Sequence, residues 1–254
     1  MKIIIFGIGG RLGKSVYELA KQNNVEVVAG IDAFADNLTF PVPLYKTIAE
    51  CKESADVLID FSRPSSLESI LSYVTATKTP AVLCTTGYTP EQQEMVNETS
   101  KKVAIFQSSN MSLGVNLLIN LVKKATQFLG DGYDIEIIEQ HHNRKVDAPS
   151  GTALSIAKAI KDASEENLEF TYGRTPESGK RAKNELGIHA VRGGSIVGKH
   201  DVMFIGEEET LTIAHSAHSI SVFAIGAIRA AEFIKDKSPA KYDMDDLISS
   251  TYNK

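Results

Sequence analysis

In the first third of the chain, short apolar runs alternate with amphipathic stretches. Residues 2–6 (KIIIF), 25–31 (VEVVAGI), 56–60 (DVLID), 81–84 (AVLC) and 103–106 (VAIF) have the length and branched composition of strands buried on both faces. Residues 14–23, 65–76 and 90–101 lie between them and read as helices. Repeated βα units predict a parallel sheet with right-handed crossovers. The pattern changes near residue 112. Residues 113–128 (LGVNLLINLVKKATQF) form an amphipathic helix, 133–140 (YDIEIIEQ) a strand, and 152–162 a further helix. Residues 165–186 are polar and carry Gly173, Pro176 and Gly179, which predicts a loop. Four short strands follow at 188–191, 194–198, 200–205 and 209–215, with no long helix between them. That spacing predicts an antiparallel or mixed sheet, so the fold class is α/β with a second α+β part. Residues 222–235 close the chain as a helix.

Composition narrows the function. The chain has 254 residues, 43% hydrophobic and 23% charged, which is ample for a packed core and argues against long disorder. The 27 Lys and Arg against 32 Asp and Glu leave a net charge of −5, so no basic excess is present to neutralise a nucleic-acid backbone. No apolar run reaches the ~18 residues of a membrane-crossing helix. The first residues form a short apolar stretch broken by Gly7, Gly9 and Gly10, unlike a secretory signal, and this predicts a cytoplasmic protein. Cys51 and Cys84 lack CxxC spacing and point to neither a disulfide framework nor a zinc site.

The first motif is a glycine-rich turn, GIGGRLG, with Gly7, Gly10 and Gly13 in GxxGxxG spacing and an extra Gly9. It follows a predicted strand and opens a predicted helix. Glycines there permit a tight turn and close approach to a pyrophosphate, and the helix start supplies N–H groups and positive dipole character. A purely structural turn would show the same glycines. The order of strand, glycines, helix, strand and acid favours dinucleotide binding, with Arg11 beside the phosphates and Asp32 placed to accept from ribose hydroxyls. The Walker lysine is absent. Asp32 followed by Ala33 repels a 2′-phosphate, so NADH is expected to serve at least as well as NADPH, with Arg11, Lys14 or Arg63 available to offset that repulsion.

The second motif lies at 139–154, EQHHNRKVDAPSGTAL. Histidine suits proton transfer near neutral pH. On a continuing strand, His141 and His142 point to opposite faces, so only one sits deepest in a given pocket. Lys145 adds a fixed positive charge or a second proton source. Pro149, Ser150, Gly151 and Thr152 read as a helix start, whose free N–H groups at Gly151 and Thr152 can hold a carboxylate. A cationic segment leading into a helix start suits a small dicarboxylate. Adjacent strand histidines do not easily share one metal, HExxH is absent, and no metal is expected. His215 and His218 read as structural residues, and no G-x-S-x-G elbow supports a serine nucleophile.

In order along the chain, GxxGxxG, Asp60-Phe61-Ser62-Arg63-Pro64, Thr85-Thr86-Gly87-Tyr88, Asn110-Met111-Ser112-Leu113-Gly114, HHNRKVDAPSGTA and RGGSIVGKH (192–200) resemble the 4-hydroxy-tetrahydrodipicolinate (dihydrodipicolinate) reductase family over nearly the full length. The resemblance implies NAD(P)H-dependent reduction of a cyclic imine dicarboxylate in the diaminopimelate and lysine pathway. It implies a Rossmann-like dinucleotide domain of residues 1–112 and 219–254, a substrate domain of 113–218, and a homotetramer built on the second sheet. His141 matches the proton donor and acceptor, Lys145 a second proton donor, His142 and Ser150 substrate contacts, and Gly151 with Thr152 the carboxylate clamp. Gly7, Ile8, Gly9, Gly10, Arg11, Leu12, Asp32, Cys84, Thr85, Thr86, Ser108, Ser109, Asn110 and Met111 match cofactor contacts. Cys84 stands where the family often has glycine, and Ala33 where some members have arginine. Another nicotinamide-dependent amino-acid dehydrogenase would keep the glycine loop without the His141, His142, Lys145 and PSGT group. A non-catalytic NAD sensor would not need proton donors beside an anion site.

Overall fold

The computed structural model describes residues 1–252, so the last two of the predicted 219–254 segment lie outside the described residues. The chain divides into two compact units, residues 1–113 with 221–254, and 114–220.

The first unit begins β1 (Lys2–Phe6), α1 (Arg11–Gln22), β2 (Glu26–Ile31), β3 (Leu44–Tyr45), β4 (Val57–Asp60), α2 (Leu67–Thr77), β5 (Ala81–Leu83), α3 (Pro90–Ser100) and β6 (Ile105–Gln107). The chain continues through α4 (Leu113–Leu129), β7 (Asp134–His141), α5 (Gly151–Ala163), β8 (Glu169–Tyr172), β9 (Glu185–Arg192), β10 (Gly198–Ile205) and β11 (Thr210–Ala217) of the second unit. It returns to the first with α6 (Ser221–Ile234), β12 (Lys241–Tyr242) and α7 (Met244–Tyr252).

The first sheet is parallel, in the order β12-β6-β5-β4-β1-β2-β3. The two-residue period of a strand sends Ile3 and Ile5 to one face, against Val16, Tyr17 and Ala20 of α1 and the alanine-rich side of α6. Ile4 and Phe6 go to the other face, against Leu67, Ile70 and Leu71 of α2. Both faces are covered, as continuous apolar strands require. This is the Rossmann-like doubly wound arrangement. Two elements lie beyond the expected closing helix. β12 pairs with β6 and widens the sheet by a strand, and α7 follows it.

The second unit has a mixed sheet in the order β11-β10-β7-β9-β8, with β7, β8 and β9 parallel and β10 and β11 antiparallel. Ile135, Ile137, Leu186, Ile188, Val202 and Phe204 pack under Leu118 and Val122 of α4 and Ile156 and Ile160 of α5. Two expectations are corrected. The predicted 165–186 loop contains β8, an edge strand only half shielded, which is why it reads as polar. Residues 194–198 are not a strand, because Gly194 turns at φ +50° and pairing begins only at Gly198. Among the described residues, no helix is long and apolar enough to cross a membrane.

Candidate active site

The glycine turn leaves β1 through Gly7 at φ +82°, where an added Cβ would meet the Phe61 carbonyl oxygen at 2.7 Å. Gly13, in the first turn of α1, lies so close to the loop that a Cβ would stand 2.2 Å from the Gly7 carbonyl oxygen. Gly10 precedes α1 in an extended conformation and no side chain caps the helix, so its opening N–H groups suit an anion. Asp32 follows β2 directly. One carboxylate oxygen accepts the Gly9 N–H at 2.9 Å and the other the Phe34 N–H at 3.0 Å. A cleft of about 640 Å³ opens here, lined by Gly7, Gly9, Gly10, Asp32, Phe34 and Arg63 among others. Its size, its glycine wall and the acid at the end of β2 fit the adenosine and pyrophosphate of a dinucleotide.

Ile8, Arg11 and Leu12 belong to the same turn but do not line this cleft. Ile8 is fully buried beneath it and Arg11 is exposed. Cys84, Thr85 and Thr86 follow β5, and Ser108, Ser109, Asn110 and Met111 follow β6. Parallel strands put both segments at the carboxyl edge of the sheet, where ligands of such folds bind. The Thr85 hydroxyl is buried with no hydrogen-bond partner among the described residues. Ser108 Oγ donates to the Asn110 carbonyl and accepts the Asn110 N–H, which fixes that turn. The same edge holds a fully buried carboxylate, Asp60, which accepts from Ser62 N–H and Oγ at 2.9 and 2.5 Å. Burial pushes its carboxyl up, an effect the Ser62 donors only partly offset.

In the second unit, the inward side chains of β7 run Ile135, Ile137, Glu139, His141. The core face of the sheet therefore turns polar at one end. Glu139 is fully buried. Arg192 grips it through both terminal nitrogens, at 2.8 and 2.7 Å, and also donates to the Asp147 carbonyl at 2.7 Å. His141 Nδ1 lies 2.5 Å from Glu139 Oε2, and the Ser150 N–H donates to Oε1 at 3.0 Å. Burial alone would raise the Glu139 carboxyl. Arg192, His141 and Ser150 together more than offset it and hold it below the usual range.

Ser150 caps α5, its Oγ accepting the Ala153 N–H at 3.1 Å and lying 3.2 Å from His200 Nε2. Gly151 opens the helix, and a Cβ there would meet nothing within 4 Å. His142 is half-buried with Nδ1 unpartnered among the described residues. Lys145 pairs with Asp147 at 2.9 Å, which lowers the Asp147 carboxyl. The structure thus joins His141 and Ser150 through a shared carboxylate, while His142, Lys145, Gly151 and Thr152 lie on the segment that follows β7. His215 packs its ring against Gly114.

Three members of this cluster, Glu139, Arg192 and His200, lie inside the motifs at 139–154 and 192–200, which give them no role. Strand parity offered one signal, since Glu139 stands two residues before His141 and so shares its face. Arg192 and His200 come from other strands, opposite His141 and Glu139 respectively.

Burial, with the His141 ring beside it, pushes His200 down to about 4 from 6.5. The unfolded chain takes up that proton near 6.5 and the folded one not until about 4. Stability therefore falls as pH drops through this window, by roughly 3 kcal/mol at its lower end. Replacing His200 with glutamine flattens the pH dependence of unfolding free energy between these limits, measured by denaturant titration. An unchanged slope contradicts this.

A doubly wound sheet with a glycine-walled cleft, joined in one chain to a unit holding a buried histidine–carboxylate pair beside a helix start, is the plan of a nicotinamide-dependent oxidoreductase. Residues 1–111 match the family model "Dihydrodipicolinate reductase, N-terminus" and 114–248 its C-terminus counterpart. The chain belongs to the dihydrodipicolinate reductase family. It is 50% identical over 252 residues, 98% of each chain, to 4-hydroxy-tetrahydrodipicolinate reductase of Clostridium tetani. It is also 50% identical over 249 residues to the enzyme of the same name from Caldanaerobacter subterraneus, again with 98% of each chain covered. The solved dipicolinate-bound dihydrodipicolinate reductase of Paenisporosarcina sp. TG-14 has the same fold, with a TM-score of 0.82 at 23% identity over 96% of this chain and 97% of that one.

Proposed function

We propose that this chain, with NADH or NADPH as reductant, converts 4-hydroxy-tetrahydrodipicolinate, a cyclic imine dicarboxylate, to tetrahydrodipicolinate, the ring taking up one hydride and one proton and losing its 4-hydroxyl as water, as a step of diaminopimelate and lysine biosynthesis. The observation that carries the reading is the His141–Glu139–Ser150 linkage, which ties a proton-transfer group to a helix start suited to a carboxylate. The names of its close relatives point to the same reaction.

The bound nicotinamide supplies a hydride. The chain's residues do the rest. Ser150, Gly151 and Thr152 present the start of α5 to one substrate carboxylate. His142 contacts the substrate, and the Lys145 ammonium adds positive charge and a second proton source. His141 gives a proton to the ring as charge develops on it. In the first unit, residues 7–12 hold the pyrophosphate and Asp32 the adenosine ribose. Cys84, Thr85 and Thr86, with Ser108, Ser109, Asn110 and Met111, form the nicotinamide end. The face of the mixed sheet away from α4 and α5 carries Ile138, Val191 and Met203, and we assign to it the contacts of a homotetramer.

Asp32 also bears on cofactor choice. Two backbone N–H groups fix its carboxylate on the cleft wall, where it favours a ribose diol and repels a 2′-phosphate. The test supplies the fresh product of a dihydrodipicolinate synthase and follows loss of the reduced-nicotinamide absorbance with each cofactor. Substrate-dependent oxidation is expected, with NADH used at least as well as NADPH. An NADPH preference above about tenfold, roughly 1.4 kcal/mol, contradicts the Asp32 argument. No oxidation with either cofactor contradicts the reaction.

A further inference from the structure

We propose that Glu139 is the positioning residue of the proton-transfer site, a single buried carboxylate that sets the orientation of His141 and the start of α5 together. The inference rests on the proposed role of His141 as proton donor.

The geometry is a closed set of four bonds. Oε1 accepts from Arg192 Nη2 at 2.7 Å and from the Ser150 N–H at 3.0 Å. Oε2 accepts from Arg192 Nη1 at 2.8 Å and faces His141 Nδ1 at 2.5 Å. A carboxylate has about four lone-pair positions, and all four are taken. Nδ1 therefore carries the proton in this contact, because an ionised carboxylate only accepts. Nε2 is left as the nitrogen that exchanges a proton with a substrate. Space is kept on that side by Gly198, where a Cβ would stand 3.1 Å from Nε2.

Arg192 explains why a carboxylate survives in this position. It supplies the compensating charge in bidentate form. It also reaches the Asp147 carbonyl, so the segment between His141 and Ser150 is tied at both ends and near its middle. A salt bridge that served stability alone would need no histidine. An orienter of histidine alone would need no bond to the helix start. Glu139 makes both, so a shift of the carboxylate displaces the acid and the carboxylate clamp at once.

Charged and titratable groups face His141 from each neighbouring element. Glu139 lies on its own strand, Arg192 on β9 and His200 on β10 with ring centroids 5.3 Å apart, while the Lys145 ammonium on the segment that follows pairs with Asp147. His200 stays neutral above its low titration range, and Arg192 is spent on Glu139. Glu139 is the carboxylate that hydrogen-bonds the His141 ring.

The test is Glu139→Gln, which keeps shape and removes charge. It is expected to lower kcat by roughly 10²-fold while leaving KM for the reduced cofactor unchanged. The KM for the dicarboxylate rises together with the fall in kcat, since the same carboxylate also holds the Ser150 N–H at the start of α5. Glu139→Asp, which restores the charge, returns part of both. A purely structural glutamate would lower stability and leave kcat and substrate KM of the folded protein near wild type, and that result overturns the proposal. Imidazole ¹⁵N spectra of the wild-type protein test the coupling apart from turnover and cover the case of a variant that does not fold. A protonated Nδ1 on His141 is expected, and a neutral ring protonated on Nε2 overturns the proposal. A wild-type enzyme with no turnover but a protonated Nδ1 removes the assigned reaction and leaves the Glu139–His141 coupling standing.

Discussion

Replacing His141 with glutamine lowers turnover by roughly 10²–10⁴-fold, the usual contribution of a positioned acid or base. The dissociation constant of the reduced cofactor stays unchanged, because His141 is held by Glu139 and does not line the cleft of Gly7, Gly10 and Asp32. Glutamine keeps one hydrogen-bonding end near Glu139 but has no proton to give at working pH. The loss therefore falls on kcat and only weakly on substrate KM, the signature of an interaction made in the transition state. Steady-state kinetics with a parallel cofactor titration separate the two. A variant with wild-type kcat removes His141 from the mechanism.

Gly13→Ala has the second large effect, and it acts on the first unit. The added methyl would stand 2.2 Å from the Gly7 carbonyl oxygen and 2.8 Å from Ile8 Cα. These are backbone atoms, which cannot swing aside as a flexible side chain would. The start of α1 has to lift, and the packing of Val16, Tyr17 and Ala20 on the sheet loosens with it. Overpacking of this kind costs roughly 1–3 kcal/mol of stability. The uncapped N–H groups at the start of α1 move too, so, on the proposed cofactor site, affinity falls by more than about tenfold, or 1.4 kcal/mol. Denaturant unfolding and a cofactor fluorescence titration read the two effects. Gly151→Ala is the control for stability, since its methyl enters open space, and it changes unfolding free energy by less than about 0.5 kcal/mol. Equal stability and cofactor affinity in Gly13→Ala would show that the turn is not packed as described.

The two sequence patterns differ in how much they reveal. Strands buried on both faces, such as 2–6 and 57–60, announce themselves as apolar runs, and α1 and α2 carry apolar stripes, whereas α3 buries only Val96 and Ser100. Two-residue strands have no such period, so β3 and β12 are invisible until β2 and β6 offer partners. α7 follows β12 and lies beyond residues 222–235, the expected closing helix, past a polar stretch, Asp236 to Ala240, that holds Pro239. Ile196 and Val197 read as part of a strand, yet Ile196 is part-exposed in the turn before β10. The same distinction holds at the site. His141, Lys145 and the start of α5 are neighbours in sequence, and their chemistry can be read there. Arg192 and His200 meet Glu139 only through strand pairing, 53 and 61 residues away along the chain. Sheet register, which no local pattern encodes, assembles that half of the cluster.

The most direct test of the central claim is a turnover with reduced cofactor deuterated at the transferable position of the nicotinamide ring, read by NMR of the product. Reductive turnover on this chain places the deuterium on a ring carbon of tetrahydrodipicolinate, and the His141→Gln variant forms the same labelled product more slowly. Cofactor that binds yet leaves the dicarboxylate unlabelled would contradict the assignment of a reductase.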